Sequence, residues 1–428
     1  MSRALELYRS MPRYLATRAV SGRLPALAGA AATTTAPLRL TDGPVPALPG
    51  EGWVTIRPRL SGICGSDLAT VTGQSSFYFT SLVSMPFVPG HEIVADTQTD
   101  VTLEDGTELP AGSRVVLDPV LGCAARGVAA CAGCAAGHTS RCDRVTSGHL
   151  SPGLQTGSCA QTGGGWSRAL VAHRSQLYPV PADLPDERAV LVEPLACAVH
   201  TALRARVADG DRVLIIGAGS VGLLTLLALR AYTRAGLVTV VAKHRHQVEL
   251  ARRFGADEIL PPASAVGGVR RGTRALKLEP DVGPPYLLGG VDVAIDCAGS
   301  ASSLSTALRV TRAGGRVVLS GVPTGSVDLT PLWFRELELV GTYASSVGRP
   351  RPADGPADGP ADGPAQRPED PASDRPDFVR ALELAATAPL DGVVSATYPL
   401  DRWRDALDHA LGAGRLGAVK VAFDLTAA

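Results

Sequence analysis

The stretch Arg212-Val-Leu-Ile-Ile-Gly-Ala-Gly-Ser-Val-Gly222 runs a short apolar strand into the pattern Gly-x-Gly-x-x-Gly, and an apolar, helix-like segment follows as far as Leu229. Gly217 permits a tight turn. Gly219, with Ser220 and Val221 beside it, lets a ligand's pyrophosphate approach the backbone, and Gly222 lets strand and helix pack closely. The helix N-terminus adds free N–H groups and the positive end of its dipole. This order of strand, turn and helix predicts a dinucleotide site on the first strand of a Rossmann-type sheet.

About twenty residues further on, an acidic side chain would hold the ribose 2′-hydroxyl of NAD. That position reads Val241-Ala-Lys-His-Arg-His246 and offers no carboxylate. Lys243 and Arg245 suit a 2′-phosphate through charge-assisted hydrogen bonds, so NADP(H) is favoured over NAD(H). The plainer alternative is a solvated basic turn beside a permissive NAD site.

On either side of this motif the chain changes texture. Apolar strands are readable at 212–216, 238–242, 256–260, 291–297, 316–320 and 337–343, separated by helical segments. They predict an α/β, doubly wound parallel sheet over residues 187–344. Residues 53–186 show short β-type runs punctuated by Gly and Pro, as in a compact β-rich domain. Residues 1 to about 50, rich in Ala, Pro and Thr without clear period, are expected to be an irregular lead-in. The proline-bearing stretch 261–290 is expected to be a long connection. Residues 345–376 contain three tandem Pro-Ala-Asp-Gly units, Pro352 to Gly363, which offer almost nothing to bury and predict disorder. Beyond them, two helix-like and two strand-like segments are expected to pack back on the first domain, so that residues 1–186 and 345–428 form one unit.

Acidic and basic side chains balance at 41 each, which gives no reason to expect nucleic acid or an anionic membrane as partner. The most apolar run, 213–229, is broken by glycines and reads as strand, turn and helix instead of a membrane span. Only Lys243, Lys277 and Lys420 are lysines, a bias consistent with GC-rich coding that carries no functional reading by itself. Arg3, Arg9, Arg13 and Arg18 precede no secretory apolar core, and a cytoplasmic location is expected. Eight cysteines occur, four of them in the order Cys123-x7-Cys131-x2-Cys134-x7-Cys142. Four thiolates on one loop form a closed tetrahedral set, which suits structural zinc and leaves no position for substrate.

Two further motifs, Gly62-Ile-Cys-Gly-Ser-Asp67 and Pro89-Gly-His-Glu92, taken with the glycine turn, give the chain a close resemblance to the zinc-dependent alcohol dehydrogenases of the medium-chain dehydrogenase/reductase family. The likeness runs from about Trp53 to the C-terminus, outside the two insertions. It implies a GroES-like catalytic domain beside the Rossmann domain, one catalytic and one structural Zn²⁺, and a homodimer or homotetramer. It also implies that Cys64 and His91 are ligands of the catalytic zinc, with Glu92 or Glu193 as third ligand, and that Asp67 orients His91. Chemically, a thiolate, an imidazole and a carboxylate make a site of mixed softness that holds zinc and keeps a place for a substrate oxygen. The resemblance departs in one respect, since the family shows a shorter first spacing in its four-cysteine loop and this chain stretches it by five residues.

The implied reaction moves a hydride between nicotinamide C4 and the carbinol carbon of a small-molecule alcohol or ketone, a polyol, sugar or secondary metabolite, held at the zinc. Ser66 matches the family's proton-passing hydroxyl. The His that many relatives place three residues later is Ala69 here, so the proton must leave by the ribose hydroxyls, by water, or through Thr70 or Glu193. The rings Phe77-Tyr-Phe79 fall where relatives line the substrate cleft, although core packing explains such a triplet equally well. Cys197 could sit near the catalytic metal. Two other readings are an enone or quinone reductase needing no zinc and a non-catalytic dinucleotide-binding regulator. Cys64, His91 and the four-cysteine loop argue against the first, and the intact set Cys64, Ser66, His91 and Glu92 against the second.

Overall fold

The computed structural model describes residues 2–322, 325–346 and 375–427. The Pro-Ala-Asp-Gly units expected to be disordered lie outside the described residues. Two large sheets dominate the remainder.

The second half of the chain builds six parallel strands in the order Glu258–Leu260, Leu237–Val241, Arg212–Ile216, Val291–Asp296, Thr311–Leu319, Glu338–Gly341. These strands are rich in Val, Ile and Leu because helices cover both faces of a parallel sheet. Val213, Leu214 and Ile215 are fully buried. The strand order reverses between Arg212–Ile216 and Val291–Asp296, the place beyond the carboxyl ends of the strands where sheets of this kind bind their ligands.

The first half builds an antiparallel sheet around strands β3 (Trp53–Gly62) and β4 (Glu92–Thr97), extended by Arg114–Leu117 and Leu177–Pro179. On its other side it is completed by the C-terminal strands Lys420–Asp424 and Val394–Pro399, so the tail does return to the first sheet. Register settles what meets at the end of β3. Gly62 stands opposite Glu92 on one flank and opposite Ala422 on the other, which places residues 62–64, 91–92 and 420–422 at one edge.

One expectation needs correction. The N-terminal residues are not an irregular lead-in. Strand β1 (Ser2–Leu7) pairs antiparallel with β2 (Leu38–Gly43), and helices α1 (Met11–Arg23) and α2 (Ala28–Thr34) lie between them. The alternation in Ala4-Leu-Glu-Leu7 buries Leu5 and Leu7 against Trp166 and Phe87, with backbone hydrogen bonds to both neighbours. Helix α1 was hidden because the residues it buries are Thr17 and Ser21, so it shows no apolar stripe. The long connection 261–290 carries structure of its own, a helix (Ala265–Thr273) and a hairpin (Leu276–Leu278 with Tyr286–Leu288).

Candidate active site

Cys64 caps helix α3 (Gly65–Val71), and His91 immediately precedes β4. Between them stands one carboxylate. Asp67 Oδ2 accepts from the backbone N–H of Cys64 at 3.0 Å, while its Oδ1 lies 3.4 Å from Gly90 N and 3.4 Å from His91 Nδ1. An acid in the first turn of a helix satisfies free N–H groups and complements the dipole; here it also fixes the imidazole from behind. Burial opposes charging of His91, but Asp67 and Cys64 outweigh it and raise its pKa well above the ordinary value.

The ligand atoms of Cys64, His91 and Glu92 lie within 4.8 Å of one another. A thiol, an imidazole and a carboxylate at that spacing fit one zinc ion. Glu193, on the helix Val192–Arg204, stands outside this group, and its Oε1 accepts from Cys197 Sγ at 3.4 Å. Burial raises the Glu193 carboxyl to about 7; His91 works against the rise and Glu92 adds to it. Cys197, buried beside that carboxyl, is raised well above the usual thiol range. Ser66 is exposed in the first turn of α3, and Thr70 Oγ1 donates to the Ser66 carbonyl at 2.9 Å and lies 3.0 Å from Ser75 Oγ.

Lys420 has a place in the site that the sequence reading did not assign. It is 3% exposed and its Nζ reaches both oxygens of Glu92, itself 1% exposed, at 2.6 and 2.7 Å, as well as the carbonyl of Ile63 at 3.4 Å. Burial opposes the lysine's charge, but Glu92 and Cys64 more than offset that, and its pKa is raised. The carboxylate lies across Gly62, where a Cβ would collide with Glu92 Oε2. One signal was available in the sequence, a lysine between Val419 and Val421 in an apolar closing strand, because lysine is almost never fully buried unless paired.

In the four-cysteine loop, all four sulfurs lie within 4.8 Å of one another, with Cys123 and Cys142 at 3.6 Å and Cys131 and Cys142 at 4.0 Å, and no disulfide joins them. Sulfurs at the corners of a tetrahedron with Zn–S near 2.3 Å stand about 3.8 Å apart, so the set fits zinc. The stretched spacing has a structural use. It makes room for Arg126, fully buried, whose guanidinium donates to the carbonyls of Leu121, Ser147, Leu150, Ser151 and Gly153 and so ties the loop to the following segment.

At the glycine turn Gly217 has φ +104°, and a Cβ at Gly222 would strike the Gly217 carbonyl, whereas one at Gly219 would meet nothing within 4 Å. The turn is therefore tight where strand and helix meet and open where a pyrophosphate would approach. Ser220 begins the helix Ser220–Tyr232, with Val221 and Gly222 in its first turn, and Ser220 Oγ donates to the Val419 carbonyl at 3.1 Å. Lys243 is exposed, and among the described residues no ion pair engages its ammonium. Arg245 is 93% exposed and pairs with Glu249 on its own helix at 2.8 Å.

A further buried acid gives a pH test. Asp118 Oδ1 accepts from Val120 N at 3.1 Å, and burial, reinforced by the nearby Asp377, raises its pKa from 3.8 to about 7. The Asp377 carboxylate is itself held by His200 Nδ1 at 3.1 Å and Ser346 N at 2.7 Å. Because the folded chain keeps a proton on Asp118 that the unfolded chain releases, stability falls as pH rises from about 4 to about 7 and is level above, by at most about 1.4 kcal/mol per pH unit. Asp118→Asn is expected to remove that slope, gaining stability over wild type at pH 7.5 and little at pH 4. Urea midpoints measured across the range check it, and parallel curves for the two proteins would refute it.

A sheet built for a dinucleotide, set against a β-rich unit carrying one open and one closed group of zinc-type donors, defines a zinc- and nicotinamide-dependent dehydrogenase. The chain belongs to the zinc-dependent alcohol dehydrogenase family of medium-chain dehydrogenases: residues 50–182 match the alcohol dehydrogenase GroES-like domain and residues 220–354 the zinc-binding dehydrogenase domain. Among its relatives, L-idonate 5-dehydrogenase of Vitis vinifera is 32% identical, covering 68% of this chain and 73% of its own. Sorbitol dehydrogenase of Arabidopsis thaliana is 30% identical over the same shares, 68% and 73%. A zinc-binding dehydrogenase of Sinorhizobium meliloti, solved bound to NADP, is 25% identical with a TM-score of 0.64, covering 90% of this chain and 95% of that one. The protein is an oxidoreductase that acts on CH–OH groups with a nicotinamide coenzyme. No helix among the described residues is long and apolar enough to cross a membrane.

Proposed function

We propose that Cys64, His91 and Glu92 hold the catalytic zinc, with Glu193 in reserve as an exchanging carboxylate, that the four cysteines hold a structural zinc, and that the coenzyme is NADP(H). The observation that carries this reading is the contact made by two consecutive residues. Val419 receives the Ser220 hydroxyl from the glycine turn, and Lys420 holds Glu92 and the Ile63 carbonyl beside Cys64. The glycine turn and the Cys64–His91 group thus meet the same two consecutive residues, which supports a shared site.

When bound there, zinc supplies Lewis acidity that lets an alcohol lose its proton near neutral pH. The chain's own residues do the rest. Asp67 fixes His91 and the backbone of Cys64. Lys420 confines the Glu92 carboxylate, so that the charge of the donor set is held within a dry site. Ser66, exposed at the start of α3, stands in the position of the family's proton-passing hydroxyl. Since Ala69 offers no imidazole, and Thr70 is occupied with Ser66 O and Ser75, the coenzyme's ribose hydroxyls or water complete the exit. The substrate class is an alcohol or ketone of the polyol, sugar or secondary-metabolite kind. The names of the plant relatives favour polyols and sugars.

Preference for NADP(H) is supported by the unpaired Lys243, by the lack of any carboxylate from Val241 to His246, and by the NADP in the related bacterial structure. Replacing Lys243 and Arg245 together by Ala is expected to weaken NADPH roughly 10- to 100-fold, as loss of one or two charge-assisted hydrogen bonds would, and NADH less than about threefold. Fluorescence titration of both coenzymes measures this. Equal weakening of the two would show that these side chains do not read a 2′-phosphate.

A further inference from the structure

The connection 261–290 does more than join two strands of the parallel sheet. Its helix Ala265–Thr273 and its hairpin, together with the helix Ala301–Val310, line a cavity of about 500 Å³, within the range of small-molecule pockets. The walls are of two kinds. Val266, Pro284 and Pro285 present apolar surface, Arg271, Lys277 and Arg309 are cationic, and no acidic residue lines the space. It lies by the edge strand Glu258–Leu260, whereas the glycine turn follows Arg212–Ile216, two strands further in. Neither the glycine turn nor the basic run 243–246 contributes to its lining.

Arg309 is half-buried and fixed in place. Its Nε donates to the Ser305 carbonyl at 3.1 Å, its Nη2 to Thr306 Oγ1 at 3.3 Å and its Nη1 to the Pro285 carbonyl. All three acceptors are neutral, and the guanidinium keeps N–H groups to spare. Burial lowers its pKa with no acid opposing the shift. A cation taken out of water calls for an anion. Arg126 and Arg335 are likewise held by carbonyls, but neither of them lines this cavity. Arg271 is exposed, and no ion pair engages it among the described residues. Its Nη1 lies 3.8 Å from where a Cβ on Gly267 would stand, so the glycine leaves space beneath the guanidinium. Lys277 does have a carboxylate, Glu279, at 2.5 Å on the rim. Two guanidiniums are thus left without a counter-charge, which matches a dianion, and the planar arginine fork suits phosphate. The volume exceeds what a bare phosphate fills, and the apolar wall offers contact to whatever the phosphate is attached to.

We propose that this cavity is a second ligand site, separate from the coenzyme's, for a small phosphomonoester with an apolar or ring-shaped organic part: Arg271 and Arg309 hold the phosphate, and Val266, Pro284 and Pro285 meet the remainder. The test uses the zinc-loaded full chain saturated with coenzyme, NADPH and NADH in parallel, so that the coenzyme's own phosphate contacts are already occupied. Calorimetric titration with phenyl phosphate, and separately with inorganic phosphate, is run at a pH of about 7.5, where a phosphomonoester is mostly dianionic. Wild type is expected to bind one phenyl phosphate per chain with a Kd of about 1 mM or tighter, and inorganic phosphate about tenfold more weakly. Two variants examine the site from different sides. Arg271→Ala removes an exposed cation, and Gly267→Leu occupies the cavity from a helical position where leucine also favours the helix. Both should weaken phenyl phosphate about tenfold, as the loss of a charge-assisted hydrogen bond or of the space itself would, with coenzyme affinity and alcohol kcat/KM within about twofold of wild type. Absence of binding to coenzyme-saturated wild type, binding that neither variant weakens, or equal affinity for the two probes overturns the proposal.

Discussion

Cys64→Ser is expected to give a folded protein that binds coenzyme normally, carries one zinc ion per chain where wild type carries two, and has lost at least about a thousandfold in kcat/KM. The zinc count follows from the two donor groups, one at Cys64, His91 and Glu92 and the other on the four-cysteine loop. The rate loss follows from what the metal does. Lewis-acid stabilisation of a developing alkoxide is worth several kcal/mol, and about 4 kcal/mol corresponds to roughly three powers of ten. A serine hydroxyl does not replace the thiolate, because it stays protonated near pH 7 and is a poor partner for a borderline-soft ion. The fold should survive, since the capping contact at α3 runs from Asp67 to the Cys64 backbone and not to its sulfur alone. Metal analysis, coenzyme titration and steady-state kinetics on one preparation decide the matter. Retained turnover with one zinc would mean that hydride transfer does not depend on this thiolate, and loss of both ions would mean that the two groups are not independent.

How much of this could be read before the coordinates depended on distance along the chain. The parallel strand Arg212–Ile216 was placed to the residue, because it is buried on both faces and ends in a glycine turn that only one local geometry satisfies. The four cysteines announced themselves by spacing. Helix α1 did not, since it buries small polar residues under a hairpin excursion and contacts Gly73 and Ser75 more than fifty residues away. Lys420 is harder still, standing 328 residues from Glu92. Only the double register of β3, Gly62 against Glu92 and against Ala422, brings the two together, and nothing in either local sequence encodes that register. The same holds for His246, whose Nε2 lies 3.1 Å from the Ala418 carbonyl. The basic run was expected to face the coenzyme; its contact with Ala418, just ahead of the C-terminal strand, was not.

That buried pair supports the other large prediction. Lys420→Met should lower stability of the zinc-free protein by about 3–5 kcal/mol, the usual cost of stranding one member of a buried ion pair, or roughly 3–6 °C in its unfolding temperature. The cause is charge rather than volume, because methionine fills much of the lysine's apolar stem while the buried Glu92 loses the ammonium that holds both its oxygens. Replacing both residues, Lys420→Met with Glu92→Met, should therefore recover most of the loss, since a buried pair exchanged for apolar groups is often neutral or better. Recovery in the double variant separates electrostatics from packing; an equal or greater loss would show that the site needs the shape of these side chains and not their mutual charge. Zinc content gives a second view of the same contact. If Lys420 serves to restrain Glu92 beside Cys64 and His91, its removal frees the carboxylate for the ion, and Lys420→Met should retain two zinc ions per chain at a temperature where it is already less stable than wild type. Loss of the catalytic ion alone would instead make Lys420, through Ile63 O and Cys64, the element that shapes the metal group.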